Sequence, residues 1–168
     1  LESKEIAEST RPGQFVHLSV SGMLSMRRPI SVMSVDIENG SFDLLYKIVG
    51  EGTRQLAERK IGDMLSVIGP IGNGFEMTKN KIPLLIGGGV GMPPIIAMAQ
   101  KLKGYRYFSP YVILGSEVPF PFETTTSELN GFKSSQFHTM PQLEDWGIPC
   151  GLASLQNYEG IYKGYVTG

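Results

Sequence analysis

With 168 residues and a hydrophobic fraction of 41%, the chain can bury one medium core or two small ones. A net charge of −1 advertises neither a nucleic-acid partner nor an anionic membrane surface, and a single cysteine, Cys150, excludes an internal disulfide framework or a multi-thiolate metal or cluster site built from these residues. With no secretory signal and no apolar run long enough to cross a bilayer, a cytoplasmic protein with no nucleic-acid and no membrane partner is the expectation. The start at Leu1 rather than Met, and the stop at Gly168 just after an apparent strand, suggest a piece of a longer protein.

Taken in order, the first half reads as antiparallel β structure. Residues 14–20 alternate, with Val16, Leu18 and Val20 on one face and Phe15, His17 and Ser19 on the other, after a Pro12-Gly13 turn. A second strand spans 30–35, and Glu38-Asn39-Gly40 signals a hairpin into a third over 41–49. Thr53 is expected to cap a short helix over 54–59 without a capping box, and a fourth strand spans 64–68 before Gly69-Pro70-Ile71-Gly72-Asn73-Gly74-Phe75. Short strands at this spacing with one inserted helix suggest a small closed barrel.

The pattern changes near residue 80. Pro83-Leu84-Leu85-Ile86 is a continuous apolar run of the kind buried in a parallel sheet, and it enters the glycine run Gly87-Gly88-Gly89-Val90-Gly91. A helix opening at Pro93 and a strand over 111–114 complete a βαβ unit. The polar stretch 76–81, with Lys79-Asn80-Lys81, is read as the boundary, dividing the chain into residues 1–78 and 79–168. Beyond Gly115, the stretches 119–122 and 124–126 read as loop, with strands near Phe137 and over 162–166.

Three stretches carry chemistry. Arg28 offers a planar fork of donors suited to a pyrophosphate, Pro29 sets the backbone after it, and Ser31 brings a small hydroxyl; the same residues also fit a solvated basic turn. Gly50-Glu51-Gly52-Thr53 places unpaired N–H groups at a helix start, where an anion binds readily and Gly52 permits close approach; an ordinary N-cap fits equally. The glycine run does not match G-x-G-x-x-G in either register, because the last position falls on Met92 or Pro94, yet strand, glycines, then helix is the right context for a nucleotide. Glu117, just past the next strand, could hold ribose hydroxyls, although a surface glutamate is the commoner reason for such a residue. His17 and His138 have no partner at metal-ligand spacing and read as structural.

In this order, Arg28-Pro29-Ile30-Ser31, Leu45-Tyr46-Lys47, Gly52-Thr53, the 69–75 loop and Gly87-Gly88-Gly89-Val90-Gly91-Met92-Pro93-Pro94 resemble the ferredoxin-NADP reductase superfamily. Within it the likeness is to the electron-transfer subunits of NAD-dependent dihydroorotate dehydrogenases, and it extends to Lys163-Gly164-Tyr165-Val166-Thr167. The resemblance implies a two-domain β plus α/β protein: an N-terminal antiparallel Greek-key barrel binding FAD, then a partial Rossmann-like nucleotide-binding domain. It implies that Arg28 binds the pyrophosphate, that Pro29, Ile30 and Ser31 line the isoalloxazine, and that Leu45, Tyr46 and Lys47 hold the flavin edge through their backbone. Gly52 and Thr53 would meet the phosphates, and Gly87, Gly88, Gly89 and Gly91 a nicotinamide nucleotide. The implied activity is electron transfer between FAD and NAD(H) in pyrimidine biosynthesis. In that family, electrons come from the FMN of a catalytic partner subunit through a 2Fe-2S cluster. The family's cluster cysteines lie in a C-terminal segment; Cys150 is too early and alone, so a cluster is expected only with a cysteine-containing tail beyond Gly168. A stand-alone NAD(P)H–flavin or ferredoxin reductase, or a non-catalytic barrel binding another ligand, are the competing readings.

Overall fold

A computed structural model of the chain describes residues 1–20, 26–78, 81–103, 105, 108–129 and 137–167. They form two compact units, Leu1–Phe75 and Glu76–Gly168. The division falls just after Phe75 because that residue belongs to the first unit: its N–H donates to the Pro12 carbonyl at 2.8 Å, and its ring lies 3.1 Å from where a Cβ on Gly13 would stand. Lys79 and Asn80, part of the expected boundary, lie outside the described residues.

In the first unit, β1 (Phe15–Ser19), β2 (Arg28–Asp36), β3 (Ser41–Leu44) and β4 (Ser66–Ile71) form one antiparallel sheet in the order β3-β2-β1-β4. A fourth strand returning beside the first is the Greek-key arrangement. The alternation in the sequence decides the inner face: Val16 and Leu18 are completely buried, as are Val32 and Phe42 to within 1%, and Ile30 and Leu56 join the same cluster. A hairpin joins β2 and β3 through a turn over residues 37–40, with Gly40 at φ +63°.

Four details depart from the sequence reading. A helix, α1 (Lys4–Ser9), precedes the sheet, its N-terminus accepted by the Ser3 hydroxyl and its Ile6 and Ala7 buried. The third strand ends at Leu44 rather than Val49, because its ladder with β2 stops at Leu44 opposite Val32; Ile48 and Val49 are exposed. β4 runs two residues later than expected at its start and takes in Pro70, which an edge strand paired on one side tolerates. The second helix, α2 (Glu51–Ala57), begins before Thr53, with Gly50 as its cap residue. The expected Greek-key, barrel-like sheet is present; among the described residues β3 and β4 are the end strands of its ladder, and Glu2 bridges to Ser41 beside β3.

The second unit is a parallel sheet in the order β10-β9-β6-β5, built from β5 (Leu84–Gly88), β6 (Tyr111–Ser116), β9 (Cys150–Ser154) and β10 (Tyr162–Lys163). Helix α3 (Met92–Leu102) connects β5 to β6 and buries Ile96, Ala99 and Leu102. It starts at Met92, one residue before the expected Pro93, with the proline in its first turn. A small hairpin of β7 (Thr125–Thr126) and β8 (His138–Thr139), then α4 (Pro141–Asp145) with Leu143 fully buried, lead into β9. Val112, Leu114, Leu152 and Cys150 fill the core between.

Candidate functional site

The two neighbouring arginines have different tasks. Arg27 stitches strands: Nη1 donates to the Ser66 carbonyl at 3.0 Å and to the His17 carbonyl at 3.4 Å, and Nη2 to the Ser66 hydroxyl at 2.9 Å. Arg28 donates from Nη1 to the Met26 carbonyl at 2.7 Å, and the rest of its fork lies against Gly52. A Cβ on Gly52 would stand 2.7 Å from both Cζ and Nη2 of Arg28, and nearer still to Nε. Two stretches 24 positions apart in the chain, Arg28 and Gly52, are thereby in contact.

The start of α2 explains what Thr53 does. Thr53 is the third helical residue, and its hydroxyl accepts from Gly50 N at 3.2 Å and Val49 N at 3.0 Å while donating to the Gly50 carbonyl at 3.0 Å. It therefore ties the turn from inside, the half of a capping box open to it when glycine is the cap residue. The helix can begin early because Glu51 sits favourably at the positive end of the dipole, and Gln55 donates to its carboxylate at 2.7 Å. The first intrahelical bond is Arg54 N to the Gly50 carbonyl at 3.0 Å, so the N–H groups of Glu51, Gly52 and Thr53 have no intrahelical acceptor. Donors from Arg28 and from this turn thus share one corner.

Of the remaining expected flavin residues, Pro29 is exposed, Ile30 is buried in the sheet core, and Ser31 is half-buried opposite Phe15 in the β1–β2 ladder. Leu45, Tyr46 and Lys47 lie in the irregular segment after β3, whose end at Val49 is held by Thr53. Tyr46 packs against the core cluster, and partial burial raises its phenol pKa above the usual value of 10.0.

In the second unit the glycines divide their work. A Cβ on Gly87 would meet Ile95 at 2.8 Å and the Gly91 carbonyl at 2.9 Å, so this glycine lets α3 close on β5. Gly89, at φ +53°, and Gly91 have nothing within 4 Å of a notional Cβ, and Gly88 has only the Gly115 carbonyl at 3.9 Å; the turn above the strand end is open. Carboxyl ends of parallel strands are where such sheets receive ligands. Sequence reasoning missed the residues that shape this edge. Ser154, fully buried, donates its hydroxyl to the Ser116 carbonyl at 2.9 Å and accepts from Gln156 N at 3.2 Å, while the Ser116 hydroxyl accepts from Val118 N at 3.3 Å. Single serines at unassigned strand ends left no signal beyond their position. Glu117 is exposed, and its carbonyl accepts from the Gln156 amide at 3.5 Å. The Val166 side chain lies over Gly115, where a Cβ would collide with it.

His17 packs tilted against Phe15 with ring centroids 5.4 Å apart, and His138 places Nδ1 3.0 Å from the Thr124 hydroxyl. Cys150 is completely buried at the start of β9, and burial pushes its thiol pKa up to about 12. Among the described residues, no group of His, Cys, Asp and Glu side chains could hold a metal ion, and no helix is long and apolar enough to cross a membrane.

Residues 2–75 match the oxidoreductase FAD-binding domain family. The electron transfer subunit of dihydroorotate dehydrogenase B (NAD(+)) from Bacillus cereus (strain G9842) is 35% identical over 184 residues, covering 97% of this chain and 71% of the relative. The corresponding subunit from Bacillus anthracis (strain CDC 684 / NRRL 3495) gives the same figures. The chain belongs to this electron-transfer subunit family. Solved structures agree on the fold. An NADH-dependent reduced ferredoxin-NADP oxidoreductase from flavin-based electron bifurcation superposes with a TM-score of 0.75 at 26% identity, covering 99% of this chain and 54% of that one. The ferredoxin reductase of carbazole 1,9a-dioxygenase gives 0.69 at 21%, covering 93% and 45%. The chain therefore spans about half the length of these structures.

Membership makes the chain an FAD-binding oxidoreductase component with a ferredoxin-NADP-reductase-like fold. The corner formed by Arg28 and the α2 turn fits the cofactor of this family: it gathers cationic and N–H donors on one side, and the space a Cβ at Gly52 would fill holds the guanidinium instead. A 2Fe-2S cluster does not fit the residues present, since it needs several thiolates and the one thiol here is buried in a strand.

Proposed function

We propose that this chain moves electrons between FAD and NAD(H) as the electron-transfer component of a dihydroorotate-oxidising system in pyrimidine biosynthesis. The observation that carries the reading is the meeting of Arg28 with the Gly52 turn, within the residues matched by the FAD-binding family. Bound flavin supplies the redox chemistry, and the protein's part is to bind, orient and tune it. Arg28 offers a charge-assisted fork to the pyrophosphate, alongside the N–H groups of Gly52 and Thr53. Pro29 and Ser31, with the backbone of Ile30 whose side chain is in the core, line the isoalloxazine, and the backbone of Leu45, Tyr46 and Lys47 holds its polar edge. In the second unit the open turn of Gly88, Gly89 and Gly91, set by Gly87, receives the nicotinamide nucleotide. No side-chain acid or base is assigned, since hydride exchange with flavin requires none.

The catalytic, FMN-containing dihydroorotate dehydrogenase subunit is the proposed partner, because the relatives are named as subunits of that enzyme. The test is spectroscopic. The purified chain reconstituted with FAD should show a bound-flavin spectrum that bleaches on anaerobic addition of NADH. In Arg28→Ala, flavin retention should fall, a loss of roughly 1.5–3 kcal/mol in binding. Full flavin occupancy in that variant contradicts the role of Arg28. Co-purification with a dihydroorotate-oxidising subunit separates this reading from a stand-alone reductase.

A further inference from the structure

We infer that Gly52 is a positioning residue: its missing side chain is the seat of the Arg28 guanidinium, rather than a gap through which phosphate approaches the backbone. The inference rests on the FAD reading above and concerns how that site is assembled.

The two glycines of Gly50-Glu51-Gly52-Thr53 have opposite surroundings. A Cβ on Gly50 would meet nothing within 4 Å. The three heavy atoms nearest a Cβ on Gly52 are Nε, Cζ and Nη2, all from Arg28, and Gly52 is buried. The backbone at Gly52 is ordinary helix, since it lies inside α2 and is absent from the positive-φ glycines. No conformational reason therefore demands glycine; the demand comes from the arginine.

A guanidinium on a flexible stem loses rotamer freedom when it grips a ligand. One held against α2 by Met26 and by the Gly52 surface has part of that freedom removed before the ligand arrives. A methyl at position 52 would push away the far end of a flexible side chain and leave the helix intact, because alanine is a better helix former than glycine. The damage would thus fall on the position of Arg28, not on folding.

The experiment is a double-mutant cycle on the whole chain, with Arg28→Ala, Gly52→Ala and the pair. FAD dissociation constants are read by titrating FAD into apoprotein, and apoprotein melting is followed in parallel. Arg28→Ala should weaken FAD binding by about ten- to a hundredfold. Gly52→Ala should weaken it by at least about fivefold in the parent chain, yet by less than about twofold once Arg28 is gone. The double variant should melt no lower than Arg28→Ala, as helix propensity requires. Losses that multiply independently would show that Gly52 acts on the ligand directly and overturn the inference, as would unchanged affinity in Gly52→Ala alone. If Gly52→Ala folds only when Arg28 is replaced, the seat is supported; failure to fold in both backgrounds overturns it. Affinity in Arg28→Ala equal to the parent's would remove the FAD reading of Arg28 itself, and the inference with it.

Discussion

Thr53 and Asp36 each turn a side-chain oxygen on backbone N–H groups, and each gives a prediction at the level of one residue. Thr53→Val keeps the shape but removes the hydroxyl that joins Val49, Gly50 and the Gly50 carbonyl. Its apoprotein should lose about 1 kcal/mol in denaturant titration, with Thr53→Ser restoring most of it. Asp36 accepts from the Asn39 amide side chain at 2.7 Å and from Asn39 N at 3.0 Å, and those bonds hold its carboxyl below the usual 3.8. A depressed carboxylate stabilises fully above its unfolded value and loses that contribution as pH falls through the lower folded value. The melting-temperature gap between the parent and Asp36→Ala should therefore be constant above about pH 5 and shrink toward zero below about pH 3 in thermal melts. The corner where Arg28 meets Gly52 was legible because both stretches carry local signatures of their own. The inward turn of Thr53 was not, since it depends on the helix starting at Glu51, which propensity around Gly52 argues against.

At the scale of elements, what the sequence concealed shares one cause. β9, Cys-Gly-Leu-Ala-Ser, has no β-branched residue and no alternation; it is a strand because β6 and β10 pair with it on either side. Helices α1 and α4, of 6 and 5 residues, are too short for a periodic stripe and exist through their caps and packing. By contrast β1 and α3 were readable, because alternation and a proline start are properties of the segment alone; the apolar run located β5, but that strand lies at the sheet edge with Leu84 and Ile86 exposed rather than buried. The junction of β5 with α3 yields a prediction here. Gly87→Ala would set a methyl against the half-buried Ile95 side chain and the Gly91 carbonyl, and the backbone carbonyl does not give way cheaply. A loss of about 1–3 kcal/mol in unfolding free energy is expected, with FAD affinity unchanged since the proposed FAD site lies in the unit matched by the FAD-binding family.

For the molecule as a whole, two units with separate cores carry two sets of glycine-rich turns, one beside an arginine and one at the carboxyl ends of a parallel sheet. The near-neutral charge, −1, supplies no broad field for an anionic ligand, so the proposed nucleotide sites depend on focused donors. Its 35% identity to the Bacillus subunits over 97% of its length makes both units, not the first alone, part of that kinship.

Where Val166 rests on Gly115, the tail of the chain is latched to the middle of a sheet by the absence of one methyl group. Gly115→Ala should spring that latch and leave Lys163, already on an exposed edge, open to proteases. Limited digestion with trypsin should then clip the variant after Lys163 well before the parent, while an equal rate for both would mean that the tail is anchored elsewhere, through β10 and the Gly164 N–H bonded to Ser154.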